Sequence, residues 1–306
     1  MTRFLILQSI MLNKLFYFKE HKTLFPAPQI ANAFEEHIAL TCRHATLVPA
    51  TEGTLGLTYL CQDTNGITFI KSHLPGAMYR ETLKKESFLL QEANPGTLQV
   101  KEHVVEVRGE EQLFLEMDVL TAIAEISPQE IRTVIRNFQK NLDKIPVVSK
   151  MVTLEDLCCV AQQECRVLSE QGLFGEDTSS RCTEYLEDLL QDLSDLPCCI
   201  CHGDLGDRNL MKSICGEIVV VDWEDAFWGC PGYDYLYWLT FFNHRKFYSS
   251  DVFRVDGLTA RQARAIVTLI LVIKSAISFY SGTYLNNSLT LEERLLEIWS
   301  FWGGLA

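Results

Sequence analysis

The chain has 306 residues, 47% of them hydrophobic and 22% charged, with a formal net charge of −13. That composition excludes a disordered chain, and the length allows one large domain or two lobes around a substantial core. The acidic balance argues against nucleic acid, whose phosphates reward Lys and Arg, while it suits solubility or a cationic small molecule.

The cysteines number 11, an odd count with irregular spacing, and no two C-x₂-C units face each other. Neither a zinc site nor a disulfide framework is expected, and reduced thiols fit a cytoplasmic location. Thr2 to Leu12 carries one arginine and an apolar stretch, but Lys14 and the aromatic run Phe16-Tyr17-Phe18 follow where a cleavage site would stand. A packed N-terminal segment is expected in place of a signal peptide.

Residues 1–44 form an extension in which Pro26 and Pro28 bracket a boundary and Ile30 to Leu40 has helical spacing. A β-rich section follows, with strands at Ala45–Ala50, Leu57–Gln62 and Ile67–Ser72. Asp63-Thr64-Asn65-Gly66 is a hairpin turn with Asn-Gly in its favoured place. Tyr79 to Glu92 reads as a charged helix ended by Asn94-Pro95-Gly96, and Val100–Val107 with Gln112–Glu116 as a hairpin around Arg108-Gly109-Glu110. From residue 120 the pattern turns helical. Ser127-Pro128-Gln129-Glu130 is a helix start with a capping box. Further helices are expected within 154–171 and 181–193, then at Thr259–Tyr280 and Thr290–Trp302. The apolar run Ala265–Ile273 is too short for a bilayer and ends at Lys274, so no membrane span is expected. The aromatics Trp238, Phe241, Phe242, Phe247, Tyr248 and Tyr280 either line a pocket or pack a core, and core packing is the better default.

The chain is organised around Cys201-His202-Gly203-Asp204-Leu205-Gly206-Asp207-Arg208-Asn209 and the later Val219-Val220-Val221-Asp222-Trp223-Glu224. Asp204 suits the acceptance of a hydroxyl proton, and Asn209 and Asp222 suit Mg²⁺ held on nucleotide phosphates. Ile218 to Val221 reads as the strand that delivers Asp222, and Gly203 and Gly206 suit a tight loop close to a ligand. The plainer alternative is that Asp204 and Asn209 cap a turn while Trp223 fills a core.

At these residues the chain resembles the aminoglycoside phosphotransferase and choline kinase superfamily, whose signature is H-G-D-x-x-x-x-N followed by an I/V-D-W/F-E strand. The resemblance implies an α+β, two-lobed protein-kinase-like fold. Its N-terminal β-sheet lobe, with one key helix, would span residues 1–118, and a larger, mainly helical catalytic and substrate-binding lobe residues 119–306. It implies an ATP- and Mg²⁺-dependent transfer of the γ-phosphate to a small-molecule hydroxyl, Asp204 acting as base with Asn209 and Asp222 on the metal. His202 would order the loop. Lys71 would contact the α- and β-phosphates, with Glu86, or in reserve Glu81, fixing its direction. The loop holding Gly53 and Thr54 would cover the phosphates, although it lacks a full G-x-G-x-x-G. Glu116 and Met117 would sit at an adenine-binding hinge, and Asp234 would brace the catalytic loop. Asp207 and Glu224 are extra carboxylates beside metal or acceptor. Two rivals stand: a catalytically inactive kinase-fold scaffold, and a protein kinase, against which the absence of H-R-D, D-F-G and A-P-E segments counts.

Overall fold

The computed structural model describes residues 27–40, 46–49, 56–64, 66–74, 76–107, 109–145 and 151–302. The described residues divide into two compact units: those up to Glu125 together with Arg208–Glu224, and Ile126–Asp207 together with those from Asp225 onward.

The first unit opens with α1 (Ala27–Ala39). Pro28 lies in its first turn, where a missing N–H has no helical partner to lose, while Pro26 lies outside the described residues. Strands β1 (Thr46–Pro49), β2 (Gly56–Asp63) and β3 (Gly66–His73) follow, then α2 (Ala77–Ala93) and the hairpin β4 (Val100–Val107) and β5 (Glu110–Asp118). They form an antiparallel sheet of order β1-β2-β3-β5-β4, which makes β5 an interior strand. Pairing aligns Tyr59 with Ile70 and Ile70 with Glu116 on one face, and Thr58 with Lys71 and Lys71 with Leu115 on the other. The first face is covered by α1, whose Ile30, Phe34 and Ile38 join Tyr59, Cys61, Ile70, Val105 and Phe114 in one apolar cluster. Phe34 stacks on Phe114 with centroids 4.4 Å apart. Alternation along the strands then leaves Phe69, Lys71, Leu115 and Met117 on the opposite face. A short strand, β6 (Thr121–Ala122), ends this stretch.

The second unit is mainly helical. Helix α3 (Pro128–Leu142) starts with the expected capping box: Ser127 Oγ accepts from Glu130 N at 3.3 Å, and Glu130 Oε2 accepts from Ser127 N at 2.9 Å. Helix α4 (Leu154–Glu170) packs against α5 (Glu176–Asp192). Helix α5 begins ahead of the expected residue 181, because Gly175 precedes it with its N–H held by Glu292 Oε1 at 2.9 Å. Strand β7 (Cys199–Cys201) leads to the loop at 202–207.

The chain then returns to the first unit for β8 (Leu210–Lys212) and β9 (Ile218–Val220), which complete a sheet of order β6-β8-β9. Back in the second unit, β10 (Phe227–Gly229) pairs with β7, and α6 (Tyr233–Leu239), α7 (Ala260–Ser281) and α8 (Leu291–Ser300) follow. Helix α7, capped by Thr259 and Gly282, is long and apolar enough, by length and composition alone, to cross a membrane. The run Ala265–Ile273 is the middle of this longer helix. In the fold, 67% of its apolar window is buried, as in the core helix of a globular unit.

Candidate active site

In the first unit the β8–β9 hairpin sets the positions of Asn209 and Asp222. Asn209 precedes β8, Asp222 follows β9, and Val221 N donates to Asn209 O at 3.0 Å, extending the ladder to the residue before Asp222. Asp222 has φ 67°, and it is the one non-glycine residue with positive φ among the described residues. Aspartate tolerates this left-handed region better than most residues, and such a conformation persists where its surroundings hold it.

Those surroundings are ionic. Lys71 Nζ lies 2.5 Å from Asp222 Oδ1, 2.8 Å from Glu86 Oε1 and 3.7 Å from Glu224 Oε2. Carboxylate oxygens of Glu86, Asp222 and Glu224 lie within 4.8 Å of one another. Burial alone would lower the Lys71 pKa. Asp222, Glu86 and Glu224 outweigh it and hold the group well above the ordinary lysine range. Glu86 is pushed up, first by burial and then by the Asp222 charge, with Lys71 opposing.

Helix α2 is fastened to this segment twice more. Lys85 Nζ donates to Glu224 O at 2.7 Å. The buried Asn94 amide pairs with Val220 at both backbone groups, Nδ2 to O at 3.0 Å and N to Oδ1 at 3.0 Å. Glu86 is thus the helix residue that meets Lys71, whereas the reserve candidate Glu81 is exposed and pairs with Lys84 at 3.0 Å.

In the second unit the loop at 202–207 is gripped by α6 and the turn after it. Asp234, fully buried, accepts from His202 N at 2.9 Å with Oδ2 and from Gly203 N at 3.1 Å with Oδ1. Burial raises its carboxyl, and His202 and the two amides oppose that rise. Gly203 is required twice over: its φ is +86°, and a Cβ there would stand 2.3 Å from Asp225 O. His202 is buried, and its Nδ1 accepts from Asp204 N at 3.3 Å. Asp204 Oδ1 accepts from Tyr237 Oη at 2.6 Å. Asp207 accepts from Trp238 Nε1 at 2.8 Å and from His244 Nε2 at 3.0 Å, with the Trp238 and His244 rings stacked at 3.8 Å.

Of the remaining sequence candidates, Gly53 and Thr54 lie outside the described residues. Glu116 and Met117 are interior residues of β5. The Glu116 side chain is on the α1 face, 3.3 Å from Thr68 Oγ1 and 2.9 Å from His103 Nε2, while Met117 is buried on the Lys71 face. Sequence reasoning missed the parts played by Lys85, Asn94 and Tyr237, which depend on contacts distant in sequence.

A family model described as the phosphotransferase enzyme family, APH, matches residues 46–265. The chain belongs to this family. No curated protein sequence matches it significantly. Solved structures of the phosphotransferase fold do. A thermostable mutant of aminoglycoside phosphotransferase APH(4)-Ia, in a ternary complex with AMP-PNP and hygromycin B, matches with a TM-score of 0.59 at 14% identity, over 89% of this chain and 99% of that one. Choline kinase LicA from Streptococcus pneumoniae matches with a TM-score of 0.54 at 17% identity, over 90% and 99%. Spectinomycin phosphotransferase, APH(9)-Ia, in complex with ADP and spectinomycin, matches with a TM-score of 0.55 at 11% identity, over 90% and 94%. The expected α+β kinase-like architecture is therefore the one this phosphotransferase family member adopts: a β-sheet unit with one key helix, α2, and a larger helical unit.

Proposed function

We propose that this protein is an ATP-dependent phosphotransferase that moves the γ-phosphate of ATP to a hydroxyl of a small molecule. The observation that carries the reading is the Lys71 ammonium, held by Glu86 at 2.8 Å and Asp222 at 2.5 Å in a member of a phosphotransferase family. Such a fixed cation, with its charge maintained by three carboxylates, suits the α- and β-phosphates of a nucleotide. Structures of the same fold with AMP-PNP, ADP, hygromycin B and spectinomycin support a nucleotide and a small-molecule acceptor here as well.

The donor set fits Mg²⁺: the amide oxygen of Asn209 and the carboxylate of Asp222 are hard oxygen ligands set on one hairpin. When bound, Mg²⁺ neutralises charge on the phosphate oxygens. Asp204 orients the acceptor hydroxyl and takes its proton as the acceptor oxygen bonds to phosphorus and the bond to the β-phosphate oxygen breaks. His202 and Asp234 hold the loop that carries Asp204. Most of the rate gain in such a transfer comes from positioning and electrostatics, which is the work these braced groups are suited to do. The described cysteines are free thiols, and we place the protein in the cytoplasm with its ATP.

The test is ADP release from Mg-ATP across a panel of aminoglycosides, choline, ethanolamine and sugars, with Asp204→Asn alongside. Release with one acceptor class, lost by about 10³-fold in the variant, is the expected outcome. Binding of ATP, seen as a raised melting temperature, without release for any acceptor would speak for an inactive scaffold.

A further inference from the structure

The contact between Tyr237 and Asp204 goes beyond anything the motif requires. Tyr237 sits on α6 and is 4% exposed, and a buried phenol needs a partner for its hydroxyl. It finds one in Asp204 Oδ1 at 2.6 Å, a separation typical of O–H donation to a charged oxygen. Lys274 of α7 holds the tyrosine from behind. Its Nζ lies 3.6 Å from the ring centroids of both Tyr237 and Phe241, and it donates to Thr240 Oγ1 at 2.8 Å and to Tyr237 O at 3.3 Å. The ring and the backbone of Tyr237 are therefore both anchored, and its hydroxyl is delivered to Asp204 from a fixed direction.

We propose that Tyr237 is a positioning residue for phosphoryl transfer: its hydroxyl locks the rotation of the Asp204 carboxylate and keeps that carboxylate ionised. The inference rests on the proposed role of Asp204 as the base. The phenol is the proton donor of the pair, since burial and then the Asp204 charge push Tyr237 well above the ordinary tyrosine range. The other titratable groups around the pair are His202 on the same loop, Asp225 before β10, Tyr233 and Asp234 on α6, Lys274 on α7 and Arg294 on α8. Lys274 is itself pushed well down, by burial and then by Arg294, with Asp204 opposing.

Tyr237→Phe keeps the ring and its packing and removes only the donor. The experiment is a ¹³C titration of Asp204 in protein labelled at aspartate Cγ, assigned by comparison with Asp204→Asn, in the unmodified chain and in Tyr237→Phe. Loss of a hydrogen bond to a charged oxygen is expected to raise the Asp204 pKa by about 1 to 2 units. With an active acceptor, the acidic limb of kcat/KM should move up by the same amount and kcat should fall about 10-fold, while KM for ATP stays put. An Asp204 pKa that is the same in both proteins overturns the inference, and so does an unmoved acidic limb in an active enzyme. If the unmodified protein releases no ADP with any acceptor, the phosphotransferase reading fails, and the carboxylate titration still decides whether Tyr237 sets Asp204.

Discussion

Lys71 Nζ and Asp222 Oδ1 meet at 2.5 Å across 151 residues of sequence. The strand lysine is therefore set by the β9 hairpin as much as by α2. Its charge is also the counterweight to three carboxylates that lie within 4.8 Å of one another.

Lys71→Met should consequently lower stability as well as activity. Removing one partner of a buried pair leaves Glu86, itself 2% exposed, without its ion-pair partner and with Lys85 as a weaker counter-charge, at a cost of about 3 kcal/mol. Turnover should fall at least about 10²-fold. In Lys71→Met/Glu86→Gln the melting temperature should recover much of its loss while turnover does not. Thermal unfolding of the three proteins beside ADP release checks this, and equal melting temperatures for the single and double variants would sink it.

Asn94→Ala removes both hydrogen bonds to Val220 and leaves a backbone donor and acceptor in the interior without that partner. The expected cost is about 2 kcal/mol, seen as a drop of several degrees in melting temperature. Because β9 leads into Asp222, the apparent affinity for Mg²⁺ in turnover assays should weaken as well. A variant that melts like the parent would show that the amide pairing contributes nothing.

His244→Phe keeps an aromatic ring against Trp238 but removes the donor to Asp207. The hydrogen bond from His244 holds the Asp207 carboxyl below its ordinary value, against burial and with help from Trp238. A carboxyl depressed in the fold contributes stability that is present above its unfolded value of about 3.9 and is lost as pH falls through the folded value. The pH-dependent part of the stability gap between parent and variant should thus be full at neutral pH and shrink as pH falls through the lowered carboxyl value, leaving the loss of the His244 Nδ1 contact to Trp238 O at 2.6 Å. Asp207 is 41% exposed, so the pH-dependent part should stay under about 1 kcal/mol. Urea unfolding at a series of pH values measures it, and a gap that widens toward acid would contradict the sign.

Much of the site was legible because its residues are close in sequence or bound to a regular period. Asp204 and Asn209 share one loop, Asp222 closes the following hairpin, and Glu86 is preferred to Glu81 on one helix. In the structure Lys71 on β3 meets Glu86, while Glu81 is exposed beside Lys84. The Ser127 capping box was readable outright, because both of its hydrogen bonds lie within four residues.

The less legible parts are long-range. Asn94 ends a helix, and an asparagine there reads as a stop signal; its pairing with Val220 spans 126 residues. Tyr237 stands in a run of aromatics for which core packing was the sensible default, and only its hydroxyl sets it apart. The membrane expectation for α7 rested on Ala265–Ile273, an apolar run interrupted by Thr268. The helix runs on past both ends of it through Arg261, Arg264, Lys274, Ile277 and Phe279, which gives it the length to cross a membrane, while burial explains its apolar character.

The division of the chain has a practical consequence. Arg208–Glu224 belongs with the sheet residues up to Glu125, and its partners Thr121 and Lys71 stand 91 and 151 positions away, so the chain leaves the helical unit and re-enters it. No single cut yields both units whole. A fragment ending near residue 118 would keep Lys71 and Glu86 and lose Asn209 and Asp222, and its partner fragment would carry a hairpin that keeps β6 but has lost Lys71, Lys85 and Asn94. The two units have to be inherited, expressed and folded as one polypeptide, with the β9 strand acting as the stitch that keeps the β-sheet unit from being a separable module.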